Sequence, residues 1–148
     1  MNYHNIVILN GPNLNLLGTR QPEIYGSQSF EEYFEELKTA FPNKNLAFEQ
    51  TNHEGKLIDL IQEYGLNSWG IVINGAGYTH TSIALRDAIS AVPAHCVEVH
   101  ISDINAREEF RKFSYLTEVC DYHVIGKGMK GYKEAVEWLT NVNNPFII

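Results

Sequence analysis

Histidine and asparagine side chains gather just after several short apolar runs of the sequence. Three of the six histidines stand in such places: His53 and His80 follow a run, and His100 lies near the end of one. Asn13 and Asn74 stand in comparable places. For any one of these clusters, a turn or a hydrogen-bonding filler is the commoner explanation. Several clusters in equivalent places instead favour a functional site.

A long connection over residues 10–28 adds Arg20 and Tyr25, with Gly18 and Gly26 near its ends as possible hinges. A solvated cation and a packing aromatic would explain the pair. The chemical alternative is that the cation stabilises the phenolate and makes it a base. Lowering a phenol pKa from about 10 to about 7 requires roughly 4 kcal/mol, more than one exposed cation supplies. The hypothesis therefore includes a lid over residues 18–28 that excludes water.

Other chemistries are less well supported by the spacing. His80 and His100 lack an Asp, Glu or Cys at a convincing distance for a metal site. Ser82, with His80 and Asp87, lacks the strained elbow sequence of a nucleophilic serine. Residues 126–131 match G-x-G-x-x-G by letter, but the chain ends before a second βαβ half could form. A turn that leads into a helix is the preferred interpretation there.

Five apolar runs rich in β-branched and aromatic residues predict the strands that position these side chains. They span residues 6–9, 46–50, 70–73, 95–101 and 122–125. In an open parallel sheet, ligands bind at the carboxyl ends of the strands. The polar clusters all follow strands, so they are expected at one rim.

Helical spacing separates the strands. Leu57, Leu60, Ile61 and Tyr64 follow i, i+3, i+4, i+7, and Ser29 precedes a glutamate by three residues, as in a helix-capping box. A β-α order repeated five times requires a parallel sheet with helices on both faces. The prediction is an α/β fold, a flavodoxin-like doubly wound five-stranded parallel sheet.

Length and composition predict one catalytic domain over residues 1–148, because 44% hydrophobic and 20% charged residues suffice for one core. A net charge of −7, with 11 scattered Lys and Arg, argues against nucleic-acid binding. Cys96 and Cys120 show no metal or disulfide spacing. The first residues carry neither a signal peptide nor a membrane span, so a cytoplasmic location is expected.

The motifs together resemble those of type II 3-dehydroquinate dehydratase in order and spacing, from about residue 6 to residue 139. The most specific are Gly-Pro-Asn-Leu-Asn-Leu-Leu-Gly-Thr-Arg at 11–20, followed by Tyr25, and Glu-Val-His-Ile-Ser at 98–102. Three further blocks lie at residues 52–55, 78–82 and 107–111. The resemblance implies a lyase of the shikimate pathway that converts 3-dehydroquinate to 3-dehydroshikimate through an enolate intermediate, without a metal or other cofactor.

The resemblance also implies catalytic roles. Tyr25 is expected to remove the proton at C2, and Arg20 to lower the pKa of that phenol. Asn13 is similar to the residue that holds a water near the enolate. His100 is expected to protonate the departing C1 hydroxyl, with Glu98 orienting its ring.

Substrate contacts are implied in the same way. The carboxylate is expected on Ser102 and the backbone of Ile101, and the ring hydroxyls on Asn74, His80 and Arg111. Asp87 corresponds to a residue that reaches the site of a neighbouring subunit. The family assembles as a homododecamer of four trimers, so the same self-association is implied here. Neither nucleic acid nor membrane is an expected partner.

The chain departs from the family pattern at one loop. The family usually reads Asn-Pro-Gly-Ala or Asn-Ala-Gly-Ala before Tyr-Thr-His, whereas Asn74 is followed here by Gly75, Ala76 and Gly77. Moving the glycine is expected to change a loop that needs a positive φ angle, and with it the placement of Asn74 and His80.

A second departure is Asp103, where the family commonly has Asn. An extra negative charge near a carboxylate site weakens binding unless its side chain points away or is paired.

A binding module for flavin or a nucleotide remains the alternative from another functional class. A phosphate cradle after the first strand would be rich in Ser, Thr and Gly and lead directly into a helix, whereas Pro12, Leu14 and Leu16 favour packing. A receiver-type signalling domain needs acidic residues there, and Asn10 and Asn13 stand in their place.

Overall fold

The computed structural model describes residues 3–19, 23 and 27–142. Five parallel strands form one sheet in the order β2-β1-β3-β4-β5. The strands are β1 (Asn5–Asn10), β2 (Asn45–Gln50), β3 (Gly70–Asn74), β4 (Cys96–His100) and β5 (Tyr122–Ile125). The α-helices in the described residues are α1 (Phe30–Ala40), α2 (Glu54–Gly65), α3 (Ile83–Ala91) and α4 (Lys130–Leu139). The flavodoxin-like doubly wound sheet is confirmed.

Apolar residues on both faces of the central strands divide the core into two layers. Along β1, Ile6 and Ile8 belong to the layer that contains α1 and α4, whereas Val7 and Leu9 belong to the layer of α2 and α3. All four side chains have no solvent exposure. Because successive side chains of a strand point to opposite faces, a continuous apolar run is what a strand covered on both sides requires.

Two helices agree with the sequence prediction, one in its start and one in its buried face. Ser29 is the N-cap of α1, and its hydroxyl accepts the backbone N–H of Glu32 at 3.2 Å. In α2, Leu57, Leu60 and Ile61 are buried on one face, as the spacing indicates. No helix among the described residues is long and apolar enough to cross a membrane.

The prediction of a helix after every strand is wrong at one place. Residues 101–121 lie between β4 and β5 and contain short 3-10 turns in place of an α-helix. Ile104 and Leu116 are buried there, but Phe110 and Phe113 between them are exposed, so the segment lacks a continuous apolar helical face. It follows an irregular path that places several polar side chains beside the end of β4.

The three central strands end side by side. Asn10 of β1 is in register with Asn74 of β3, and β4 ends at His100. All three side chains are buried. The sheet therefore places two amides and one imidazole at its carboxyl edge, where ligands of this fold class bind.

Candidate active site

A cavity of about 150 Å³ opens at this edge of the sheet. Its walls come from the loop after β1, the turn after β3 and the segment after β4. The lining residues are Pro12, Asn13, Leu14, Asn74, Ala76, Gly77, His80, His100, Ile101, Ser102, Ile104, Arg107 and Arg111.

Most of the residues singled out from the sequence converge on this cavity. Asn13, Asn74, His80, His100, Ile101, Ser102 and Arg111 all line it. Glu98 lies behind the wall and contacts His100. Asp87 is exposed on α3 and is not among the lining residues of its own chain's cavity. Arg20 and Tyr25 lie outside the described residues, as does most of the lid expected over residues 18–28.

His100 and Glu98 form the most buried ionisable pair of the site. Nε2 of His100 lies 2.6 Å from Oε2 of Glu98, and the two side chains are 5% and 0% exposed. An ionised carboxylate only accepts hydrogen bonds, so Nε2 carries the proton of this bond. Nδ1 is then the ring nitrogen left to exchange a proton with a ligand.

Glu98 is held as a carboxylate despite its burial. Burial alone would raise its pKa, but the hydrogen bond and charge of His100, with hydrogen bonds from the Ser114 and Thr117 hydroxyls, lower the pKa below its ordinary value. The two hydroxyl contacts measure 2.5 Å and 2.6 Å. The buried carboxylate keeps the proton of this contact on Nε2 of His100.

His80 contacts the protein through its other ring nitrogen. Its Nδ1 lies 2.8 Å from the carbonyl oxygen of Phe113, which can only accept, so Nδ1–H donates. Burial lowers the pKa of His80, and the positive charges of His100 and Arg111 act in the same direction. The rings of His80 and His100 are 6.4 Å apart and inclined by 23°. The cavity is thus lined by a neutral imidazole that can accept at Nε2, next to one whose Nε2–H is committed to Glu98.

A buried chain of hydrogen bonds fixes Asn74. Its Nδ2 donates to the hydroxyl of Tyr132 at 2.9 Å, and that hydroxyl donates to Oδ1 of Asn10 at 2.9 Å. Oδ1 of Asn74 accepts the backbone N–H of Ala76 at 3.0 Å. Both ends of the Asn74 amide therefore have protein partners, so its orientation toward the cavity is set before a ligand arrives.

Asn13 adopts a conformation that few residues other than glycine tolerate. Its φ is 70°, in the left-handed region where Asn is enriched. Its backbone N–H donates to Oδ1 of Asn52 at 3.0 Å. The loop after β1 is thereby tied to the loop after β2, with Asn13 in the cavity wall.

Two of the alternative chemistries do not fit these positions. Ser82 is 2% exposed, and its hydroxyl caps α3 by accepting the N–H of Leu85 at 2.9 Å. Gly126 and Gly128 have positive φ angles in a turn that leads into α4. Within the described part of the chain, no three His, Cys, Asp or Glu side chains come together as a metal site.

Comparison with known proteins places the chain in a family. The sequence profile described as Dehydroquinase class II matches residues 4–140. The chain belongs to the class II dehydroquinase family. It is 48% identical over 135 residues to a 3-dehydroquinate dehydratase of an Exiguobacterium strain, covering 90% of this chain and 92% of that protein. It is 44% identical over 135 residues to catabolic 3-dehydroquinase 2 of Neosartorya fischeri, covering 90% of each.

The tertiary structure agrees with this membership. The type II dehydroquinase of Propionibacterium acnes superposes on the chain with a TM-score of 0.89 at 37% identity, covering 92% of this chain and 95% of that one. The class II dehydroquinase fold therefore extends over nearly the whole sequence.

In this class II dehydroquinase, the shifted glycine means that a residue other than glycine has a positive φ in the turn after β3. Ala76 has a φ of 50°, at the position where the resemblance places glycine, whereas Gly75 has a φ of −72°. A Cβ on Gly75 would lie 2.7 Å from Oγ1 of Thr79. The loop thus keeps a positive φ, with Asn74 and His80 still at the cavity, and the strain falls on Ala76.

The second departure is accommodated locally. Asp103 is exposed, and its side chain accepts the backbone N–H of Asn105 at 2.9 Å. It caps the 3-10 turn Ile104–Ala106 and is absent from the cavity lining. The added charge is therefore paired within its own turn, as an asparagine amide oxygen would be.

The sequence prediction missed Arg107 as a lining residue of the site. Its side chain is 19% exposed and lies in the cavity wall with Arg111. Both arginines contact Glu108, at 3.8 Å and 3.2 Å. The i, i+4 repetition of arginine within a single motif was the available signal. Two cations at one wall give an acidic chain a local place for an anion.

Proposed function

We propose that this chain dehydrates 3-dehydroquinate to 3-dehydroshikimate in the shikimate pathway by anti elimination through an enolate intermediate. The observation that carries the proposal is the buried His100–Glu98 pair at the wall of a cavity that also presents arginines. Elimination needs an acid for the departing hydroxyl, and an anionic substrate needs cationic groups near it. Both groups stand at one edge of the sheet, and membership of the class II dehydroquinase family supports the assignment.

His100 is the proposed acid. Its Nε2–H is committed to Glu98, so the imidazolium delivers the proton from Nδ1 to the C1 hydroxyl, which leaves as water. The carbon–oxygen bond breaks as the enolate electrons form the new double bond. Glu98 keeps the ring in one orientation and stabilises its positive charge before transfer.

The substrate is proposed to be held by the remaining wall. Ser102 and the backbone N–H of Ile101 bind the carboxylate, while Asn74, His80 and Arg111 bind ring hydroxyls. The fixed amide of Asn74 and the free Nε2 of neutral His80 suit directional contacts of this kind. Rigid partners reduce the entropy lost on binding.

The proposed base is Tyr25, which removes the C2 proton as a phenolate stabilised by Arg20. Asn13 holds a water that stabilises the enolate oxygen. Support for the base comes from the sequence resemblance, and support for Asn13 also from its place in the cavity wall. Anti elimination requires that the base and the acid act on opposite faces of the ring.

We further propose a homododecamer of four trimers in which Asp87 completes the site of a neighbouring subunit. Asp87 is exposed on α3 and does not line its own chain's cavity, which leaves it available to another copy. A cytoplasmic location is part of the proposal, supported by two cysteines that remain free thiols. Light scattering tests the assembly, and cell fractionation tests the location.

The test of function is the ultraviolet absorbance of the conjugated product when chelator-treated protein is mixed with 3-dehydroquinate. We expect a rise in this absorbance that chelation leaves unchanged, and no flavin absorbance in the purified protein.

Tyr25→Phe should abolish turnover while largely preserving substrate binding. The control Tyr64→Phe, remote on α2, should retain turnover. Near-normal turnover by Tyr25→Phe refutes the role of the base. No product from folded, assembled protein favours a binding module.

A further inference from the structure

Two hydroxyl groups from the irregular segment after β4 converge on Glu98. The hydroxyl of Ser114 donates to Oε2 at 2.5 Å, and the hydroxyl of Thr117 donates to Oε1 at 2.6 Å. Oε2 is the same oxygen that His100 contacts. Each carboxylate oxygen thus accepts a hydrogen bond from this segment, and Oε2 also accepts one from the imidazole.

The direction of the Ser114 hydroxyl is fixed by its other contact. Its oxygen accepts the backbone N–H of Leu116 at 3.1 Å, so its proton is free to be donated to Glu98. Leu116 has no solvent exposure and anchors the turn in the core. The serine is therefore an oriented donor, and O–H···O⁻ contacts of 2.5–2.7 Å are of the strong, charge-assisted kind.

These hydroxyls explain how the carboxylate stays charged at a position with no solvent exposure. Glu98 has no solvent exposure, which by itself favours the protonated acid. His100 supplies one hydrogen bond, and Ser114 and Thr117 supply two more. Without the hydroxyls, burial would raise the pKa of Glu98 against a single opposing hydrogen bond.

The same short segment also fixes the second imidazole of the site. The carbonyl oxygen of Phe113 accepts Nδ1–H of His80. The segment is itself tied to the turn after β3, because the N–H of Tyr115 donates to the carbonyl of Thr79 at 3.0 Å. Residues 113–117 therefore connect, through backbone and side chains, the groups that set the proton positions on both histidines.

We propose that Ser114 and Thr117 are positioning residues that hold Glu98 ionised and oriented, so that His100 presents an imidazole of fixed orientation to the substrate. The inference rests on the proposed function for its catalytic consequence. The arrangement of donors around Glu98 can be tested without turnover.

Other charged or titratable groups face the pair and stay in place when the hydroxyls are removed. His80 faces it from the turn after β3, with Arg111 acting on His80 from the segment after β4. Cys96, on β4, also interacts electrostatically with Glu98. Since these groups are common to all the variants below, a change in titration reports on the two hydroxyls.

The first experiment compares Ser114→Ala, Thr117→Val and the double variant with matched controls. Ser90→Ala, exposed on α3, and Thr39→Val, on α1, make the same chemical changes far from Glu98. We expect kcat to fall roughly ten- to a hundredfold in the single variants, as for a lost hydrogen bond to a charged group, with little change in KM. Thr117→Ser should recover most of the loss because it retains the hydroxyl.

The second experiment follows the carboxyl stretch of isotope-labelled Glu98 by infrared difference spectroscopy as the pH is lowered. We expect protonation at higher pH in the double variant than in wild type, with both controls unchanged. If the spectrum and kcat of the folded double variant match wild type, the proposal is overturned. If wild-type protein does not dehydrate 3-dehydroquinate, the proposed function fails, while an altered infrared titration still supports the positioning of Glu98.

Discussion

Replacing Glu98 by glutamine removes a negative charge that accepts three hydrogen bonds at a position with no solvent exposure. Glutamine keeps one oxygen and turns an amino group toward at least one of the same donors. Each hydrogen bond to a charged group is worth about 1.5–3 kcal/mol, and removing one partner of a buried pair costs about 3–5 kcal/mol. We therefore expect Glu98→Gln to lower the free energy of unfolding by roughly 3 kcal/mol at neutral pH.

The direction of the Glu98 pKa shift predicts how the effect of Glu98→Gln on stability changes with pH. The pKa of Glu98 is lowered in the folded chain, so the group contributes stability above its unfolded pKa and loses it as the pH falls through the folded value. We expect urea unfolding to show a smaller difference in free energy of unfolding between wild type and Glu98→Gln at about pH 4 than at about pH 7.

The same variant should lower kcat about a hundredfold, because His100 loses the carboxylate that fixes the orientation of its ring. A gap in the free energy of unfolding that is small at neutral pH, or that widens in acid, would show that Glu98 is not held as a carboxylate. Wild-type kcat in a folded Glu98→Gln protein would refute its part in proton transfer.

Two further predictions concern the loops that carry the amides of the site. Ala76→Gly should raise the free energy of unfolding by about 0.5–1 kcal/mol, since glycine relieves a φ of 50° at the cost of extra backbone entropy, and chemical denaturation measures the difference; a loss of stability would contradict the strain. Tyr132→Phe should cost about 2 kcal/mol, because it leaves the buried amides of Asn10 and Asn74 without their shared partner. Unchanged stability there would mean that the chain of hydrogen bonds contributes nothing.

Local patterns predicted the scaffold well. The apolar runs located all five strands to within about a residue at most ends, and the Ser29 cap and the spacing in α2 are confirmed. These signals are local, because a strand covered on both faces and a half-buried helix impose their periods on neighbouring residues. The segment after β4 has no such period, and a helix was wrongly expected there.

The site was predicted unevenly for the same reason. Residues that directly follow strands were located at the cavity by the rule that the carboxyl ends of parallel strands meet. Ser114 and Thr117 are 16 and 19 residues from Glu98 in the chain and follow no spacing that signals the contact. Arg20 and Tyr25 lie outside the described residues, so their roles stay predictions from the resemblance.

The sequence by itself determined the parallel sheet, the edge at which the polar residues gather and, through its motifs, the family. The tertiary structure decided which nitrogen of each histidine holds a proton, since that depends on a carboxylate and a carbonyl brought from other parts of the fold. It also decided that Ala76 bears the positive φ and that Asp103 is paired. The period of a strand or helix is visible in neighbouring residues of the sequence. The charge and hydrogen bonds of the site residues depend on groups that only folding brings together.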